Sequence, residues 1–318
     1  MSVQLDAAGR LRHLLTLDGL PAPIVLGLLE RARGFVHTPQ ARAPRGRQLE
    51  GRTVVNLFLE PSTRTRVSFE LAARRLGADV VNIEGAAAST VKGETLLDTV
   101  YTLQSMRTDF FVIRTAESGA PASVAERVAA DVSVVSGGES HLSHPTQGLL
   151  DALTIVQRKP DVDRLVVCIV GDIAHSRVAR SAGQVLRTLG VRELRLVAPP
   201  ELMPDDAEFP GAVRCLELDA GLADADVVMA LRIQKERMAT AEIPDRAAYR
   251  ERYGLTGKRL RSARRDAIVM HPGPMNRDVE IASDVADGPQ SVIRTQVANG
   301  VAVRMAVLLA LAEHASAR

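Results

Sequence analysis

Apolar, β-branched runs alternate along this chain with segments of helical periodicity, a pattern that leaves few architectures open. The strand-like runs are 53–59, 80–83, 109–114, 132–135, 165–170, 193–197, 226–231 and 267–270. Helix-like segments lie between them at 65–76, 94–106, 121–130, 146–157 and 179–189. Gly77 and Gly190 follow two of these and suit helix ends. The alternation predicts an α/β protein whose parallel sheets are covered on both faces. Four strands precede Gln147 and four follow it, and 318 residues is about two domains of ordinary size. The expected fold is therefore two open parallel-sheet α/β domains joined by interdomain helices, with the active site in the cleft at the strand carboxyl ends. The expected boundaries are 1–150 and 151–290, with a long amphipathic helix within 291–318 packing back on the first domain.

Composition narrows the functional classes. Two cysteines, Cys168 and Cys215, exclude a disulfide framework and a cysteine zinc module. Cys168 sits inside an apolar run and reads as a buried, inert thiol. A formal charge of +2 argues against a polybasic nucleic-acid binder, and three tyrosines with no tryptophan give little capacity to stack bases. The first residues carry Asp6, Arg10 and Arg12 without an uninterrupted apolar run, unlike a secretory leader. The apolar stretch 301–312 is interrupted by Arg304 and is too short to span a bilayer. No membrane association and a cytoplasmic location are expected.

In an open parallel sheet, ligands bind beyond the carboxyl ends of the strands. The residues there are distinctive. Glu60 to Arg66 follow the first strand, with Ser62, Thr63, Arg64 and Thr65 at a helix start. A helix N-terminus offers unpaired N–H groups and a positive dipole end to an anion, although a routine serine or threonine cap is equally consistent with the residues. The second strand leads to Ser89, Thr90 and Lys92, the third ends at Arg114, and the fourth leads to His144 and Gln147. In the second half come Arg177, then Arg232 with Gln234, then His271-Pro272-Gly273-Pro274. Two prolines stiffen that last segment and can present carbonyls in a fixed direction, although a plain rigid turn uses the same residues. Planar guanidinium groups suit bidentate carboxylate binding. Arg66, Arg74 and Arg75 read as surface ion-pair partners instead. No Walker A sequence and no dinucleotide fingerprint is present. Glu139, His141 and His144 form no specific metal-ligand motif, so no metal is expected.

Four ordered segments carry a resemblance that spans the chain: Ser62-Thr63-Arg64-Thr65-Arg66, Val91-Lys92-Gly93-Glu94-Thr95, His144-Pro145-Thr146-Gln147, and His271-Pro272-Gly273-Pro274-Met275-Asn276-Arg277. Together they resemble the catalytic chains of the aspartate/ornithine carbamoyltransferase family, on its aspartate branch. The resemblance implies transfer of a carbamoyl group from carbamoyl phosphate to L-aspartate, in de novo pyrimidine synthesis, with no cofactor. It implies that Ser62, Thr63, Arg64 and Thr65 hold the phosphate. Arg114 would reach phosphate and carbonyl oxygen, His144 the same carbonyl, and Gln147 the carbamoyl NH2. The carbonyls of Pro272 and Gly273, with Pro274 beside them, would be further acceptors. Arg177 would take the α-carboxylate of aspartate, and Arg232 and Gln234 its β-carboxylate. Thr65, Arg114 and His144 would stabilise the tetrahedral intermediate.

Lys92 corresponds to a family lysine that a neighbouring subunit inserts into the site, as a catalytic residue within reach of the aspartate β-carboxylate, so the resemblance implies a homotrimer with shared active sites. It leaves open whether regulatory or dihydroorotase-like subunits join. The family serine four residues before this lysine is replaced by Ala88, with Ser89 and Thr90 close by. Two alternatives stand beside this reading. One is another carbamoyltransferase with an ornithine-type acceptor, which Arg232 disfavours. The other is a non-catalytic anion-binding subunit.

Overall fold

The computed structural model describes residues 3–36, 46–85, 94–234, 238 and 245–316. Ala88, Ser89, Thr90 and Lys92 lie outside the described residues. The chain divides into two units, Met1–Leu149 with Ala298–Arg318, and Leu150–Val297.

The first unit contains α1 (Ala22–Arg33), β1 (Thr53–Phe58), α2 (Thr63–Arg75), β2 (Asp79–Glu84), α3 (Leu96–Ser105), β3 (Phe110–Thr115), α4 (Ala120–Ala125), β4 (Ser133–Glu139) and the start of α5 (Pro145–Arg158). The second contains β5 (Val166–Val170), α6 (Arg177–Thr188), β6 (Glu193–Val197), β7 (Val213–Cys215), α7 (Leu218–Leu222), β8 (Val227–Ala230), α8 (Arg246–Tyr253), α9 (Gly257–Leu260), β9 (Ile268–Met270) and α10 (Ser283–Ala286). The chain crosses from the first unit to the second inside α5, and returns inside α11 (Ile293–Ser316).

Both sheets are wholly parallel, with strand orders β2-β1-β3-β4 and β7-β6-β5-β8-β9. Their central strands are buried on both faces, as their largely apolar, Val-rich sequences require. The edge strand β2 instead alternates exposed and half-buried positions. Helices α3 and α4 cover one face of the first sheet, where Val100, Val124 and Ala125 pack on Val55, Leu57, Phe111 and Ile113. Each such large apolar side chain contributes roughly 1.5–3 kcal/mol on burial.

One device recurs at the amino ends of both sheets. Asp109, just before β3, accepts from the Thr53 N–H of β1 at 2.8 Å and pairs with Arg52 at 2.6 Å. Asp226, just before β8, accepts from the Val166 N–H of β5 at 2.9 Å and pairs with Arg264 at 3.2 Å. Each aspartate ties together the two strands from which the chain winds outward in opposite directions. Those pairs, β1/β3 and β5/β8, are the topological switch points, where an open sheet leaves a crevice at its carboxyl edge.

Three expectations need correction. The second sheet has five strands, not four: β7 is short, and its residues are exposed or half-buried, so it lacks an apolar signature. Helix α4 ends at Ala125 rather than continuing to 130. Helix α11 is not amphipathic over its middle, where every residue from Ala302 to Leu308 is buried. By length and composition Ile293–His314 is apolar enough to cross a membrane, but most of that stretch is buried within the protein. Arg304 is accommodated there by the Gly300 carbonyl at 2.9 Å and the Phe69 ring, whose centroid lies 4.9 Å away. Cys168 is fully buried, and burial pushes its thiol up, as befits an inert side chain.

Candidate active site

At the β1/β3 switch point the chain leaves β1 and enters α2 through Ser62, whose backbone is extended in the manner of an N-cap residue. The Ser62 side chain makes no capping bond, and the first turn carries no acidic residue. The helix thus begins with a positive dipole end that the Ser62 side chain does not cap and no acidic residue of its first turn offsets. Thr63 and Arg64 are exposed there, whereas Thr65 is buried.

Thr65 Oγ1 lies 3.4 Å from Nε2 of His144, which precedes α5 and is also buried. Gln147, half-buried, sits in the first turn of α5. Arg114 comes from the end of β3, where the β3–β4 register shifts between Ile113 and Arg114. Such an irregularity re-aims a side chain beside a site. Its Nη1 donates to the Gly137 carbonyl at 3.1 Å, and its Nε lies 3.6 Å from Glu60 Oε2. The structure therefore gathers Ser62, Thr63, Arg64, Thr65, Arg114, His144 and Gln147 at the carboxyl edge of the first sheet. Arg66, expected on the surface, pairs with Glu84 at 2.7 Å and with Glu70 at 3.6 Å.

The switch point of the second sheet is built differently. Gly171 follows β5 at φ 133, and a Cβ there would meet the Leu231 carbonyl at 2.4 Å, so only glycine permits the close approach of the β8 end. Helix α6 begins at Arg177, and its N-cap Ser176 accepts from the Ala179 N–H at 3.1 Å. With that terminus capped, anion binding here falls to side chains: buried Arg177 and half-buried Arg232. Arg232 Nη1 donates to the Ile233 carbonyl at 3.3 Å.

Sequence reasoning missed Asp172 in this edge. It is fully buried, and its Oδ1 accepts from the His175 backbone N–H at 3.2 Å and from His175 Nδ1 at 2.8 Å. Its Oδ2 accepts from the Gln234 N–H at 2.9 Å. The Gln234 amide in turn donates to the His175 carbonyl at 2.9 Å. One carboxylate thereby ties the loop after β5 to the segment after β8 that carries Arg232. An acidic residue at an anion site offers no signal in sequence, because its task is to hold backbone rather than ligand.

After β9 the chain runs through His271, Pro272, Gly273 and Pro274, with Gly273 at φ 68. Among the described residues no donor is bonded to the carbonyls of Pro272 or Gly273. Also among the described residues, no group of three or more His, Cys, Asp or Glu side chains is placed to hold a metal ion. The two edges thus provide an open helix terminus with buried polar groups for one anion, and arginines on braced loops for another.

Residues 12–157 match the family described as aspartate/ornithine carbamoyltransferase, carbamoyl-P binding domain. Residues 163–311 match its Asp/Orn binding domain. The aspartate carbamoyltransferase catalytic subunit of Stenotrophomonas maltophilia is 52% identical over 307 residues, covering 96% of this chain and 97% of that protein. Among solved structures, aspartate transcarbamoylase from Trypanosoma cruzi in complex with carbamoyl aspartate and phosphate superposes with a TM-score of 0.86 at 30% identity, over 96% of this chain and 98% of that one. Ornithine carbamoyltransferase from Pyrococcus furiosus superposes with a TM-score of 0.82, also at 30% identity, over 93% and 96% of the two chains. The backbone is thus common to enzymes with either acceptor. The sequence leans to the aspartate side.

Proposed function

The chain belongs to the aspartate/ornithine carbamoyltransferase family, and on that premise we propose that it transfers the carbamoyl group of carbamoyl phosphate to the α-amine of L-aspartate. The products are N-carbamoyl-L-aspartate and phosphate. The observation that supports this reading most is the meeting of Thr65 and His144, 3.4 Å apart, in the first turn of a helix whose N-cap side chain makes no capping bond.

The neutral amine of aspartate attacks the carbamoyl carbon, forming a C–N bond and a tetrahedral intermediate. The C–O bond to phosphate then breaks, and the leaving phosphate takes the proton released by the amine. Ser62, Thr63 and Arg64 hold the phosphate with the α2 terminus. Thr65, Arg114 and His144 face the developing oxyanion, and each such donor is worth about 3–4 kcal/mol. Gln147 and the carbonyls of Pro272 and Gly273 accept from the carbamoyl NH2, with Pro274 fixing the segment. Arg177 takes the α-carboxylate of aspartate, and Arg232 with Gln234 the β-carboxylate. A cationic ornithine side chain would be repelled by Arg232, which favours aspartate as acceptor.

The reaction so written needs neither metal nor covalent enzyme intermediate. We place its product in de novo pyrimidine synthesis and the protein in the cytoplasm. We assign it a homotrimeric state, in which a neighbouring chain contributes Lys92. Arg64→Ala and Arg232→Ala test the assignment. Each should lower kcat/KM by about two orders of magnitude or more, the first through carbamoyl phosphate and the second through aspartate. Activity within a few-fold of the parent in both would reject it.

A further inference from the structure

His271 has no part in the roles above, yet it is fully buried and anchors the segment that carries the two proposed carbonyl acceptors. Its Nδ1 accepts from the Gly273 N–H at 2.8 Å, folding Pro272 into a closed turn. A ring nitrogen that accepts carries no hydrogen, so the ring hydrogen sits on Nε2. That nitrogen faces Glu280 Oε1 at 3.3 Å. The same oxygen accepts from the Asn276 N–H at 2.6 Å. One carboxylate oxygen therefore holds both ends of the 271–276 segment.

Both residues are themselves fixed. The His271 N–H donates to Gln296 Oε1 at 2.9 Å, and the Gln296 amide donates to Asp151 Oδ1 at 2.7 Å. The Glu280 carbonyl accepts from the Leu255 N–H at 3.0 Å, and the Leu255 carbonyl accepts from the Ala282 N–H at 2.9 Å. Glu280 is 1% exposed. The result is a clamp anchored at two separate points in the second unit, with the carbonyls of Pro272 and Gly273 left unoccupied among the described residues.

We propose that His271 and Glu280 are positioning residues that aim the Pro272 and Gly273 carbonyls at the NH2 group of the donor, and so set its discrimination between a carbamoyl and an acyl phosphate. This rests on the role assigned to those carbonyls above. A rigid pair of acceptors rewards an amide NH2 and leaves a methyl group in its place without partners. A loosened segment loses that reward while the phosphate and carbonyl contacts of the first unit stay intact. Selectivity built from hydrogen bonds to one substituent depends on how well the acceptors are held.

Acetyl phosphate is the direct probe. It keeps the phosphate and the carbonyl and replaces NH2 with CH3. Dissociation constants for carbamoyl phosphate and acetyl phosphate, measured by titration calorimetry on the full chain, give a selectivity ratio. Glu280→Leu removes the shared acceptor and should weaken carbamoyl phosphate by about tenfold, the order expected for misplaced hydrogen bonds, with acetyl phosphate within about twofold. His271→Gln keeps a donor toward Glu280 but loses the acceptor for Gly273, and should reduce the ratio similarly even if Glu280→Leu fails to fold. Glu280→Gln retains Oε1 and should keep the ratio within about threefold of the parent.

Equal weakening of both ligands, an unchanged ratio in Glu280→Leu or His271→Gln, or a Glu280→Gln as poor as Glu280→Leu would overturn the proposal. A parent protein that does not prefer carbamoyl to acetyl phosphate would instead remove the role of the carbonyls themselves.

Discussion

Thr65 and His144 meet at 3.4 Å although 79 residues separate them in sequence. Both are buried, and both come from segments that begin a helix directly after a strand of the first sheet. In the function proposed above, these two polar groups held out of water serve an oxygen that gains charge during reaction, where a preorganised donor is most effective. Thr65→Val and His144→Asn should each lower kcat by roughly 10²–10³. The double variant should lose less than the product if, as proposed, both groups address the same oxygen. Steady-state kinetics of the three variants provide the check, and full multiplicativity would show that the two act separately.

Asp172 is predicted to act through Gln234 rather than on substrate. In Asp172→Ala the Gln234 N–H and His175 lose their common acceptor. A hydrogen bond to a charged group is worth about 1.5–3 kcal/mol, so KM for aspartate should rise roughly tenfold to a hundredfold. The constant for carbamoyl phosphate should stay within about twofold. Equal loss for both substrates would show instead that the second unit as a whole is damaged.

How legible all this was depends on what each residue contacts. Segments such as 62–66 and 144–147 stand out because strand, turn and helix follow one another, and the chemistry sits at a fixed place in that unit. Strand order did not follow from the alternation, so the coincidence of segment 62–66 with the β1/β3 switch point emerged only in the fold. β7 escaped notice because three residues at a solvent-facing edge need no apolar pattern. Asp172 and Glu280 escaped for a different reason. Besides a histidine ring, each holds a backbone N–H brought near by the fold, and no residue type marks a backbone group.

His13 predicts an acid-sensitive step in stability. It is fully buried, and its Nδ1 accepts from the Val134 N–H at 2.9 Å. Burial first, and the charges of Arg12 and His314 next, push it from 6.5 down to about 3. Between those values the unfolded chain binds a proton that the folded one refuses, so stability is full above pH 6.5 and falls as the pH drops toward 3. From pH 6.5 to about pH 5 the loss is about 2 kcal/mol. His13→Asn keeps an acceptor for Val134 and does not titrate. Urea denaturation at both pH values should show a flatter dependence for the variant; equal slopes would remove His13 from the account.

The proposed sharing of sites between chains makes a prediction about mixtures. Lys92→Ala and Arg232→Ala proteins should each be nearly inactive alone. Subunit exchange between them should restore part of the activity, because some sites would then receive both residues from unaltered chains. Native mass spectrometry can verify that exchange has occurred. No recovery in verified hybrids would place Lys92 and Arg232 of one chain in the same site, or Lys92 outside it.

The acceptor is the point on which the account stands or falls. Purified protein should be given carbamoyl phosphate with either L-aspartate or L-ornithine, and the carbamoylated product and released phosphate measured together. Formation of N-carbamoyl-L-aspartate and phosphate in equal amounts, with no citrulline from ornithine, is the predicted result. Citrulline formation without turnover of aspartate, or phosphate release with no carbamoylated product, would contradict it.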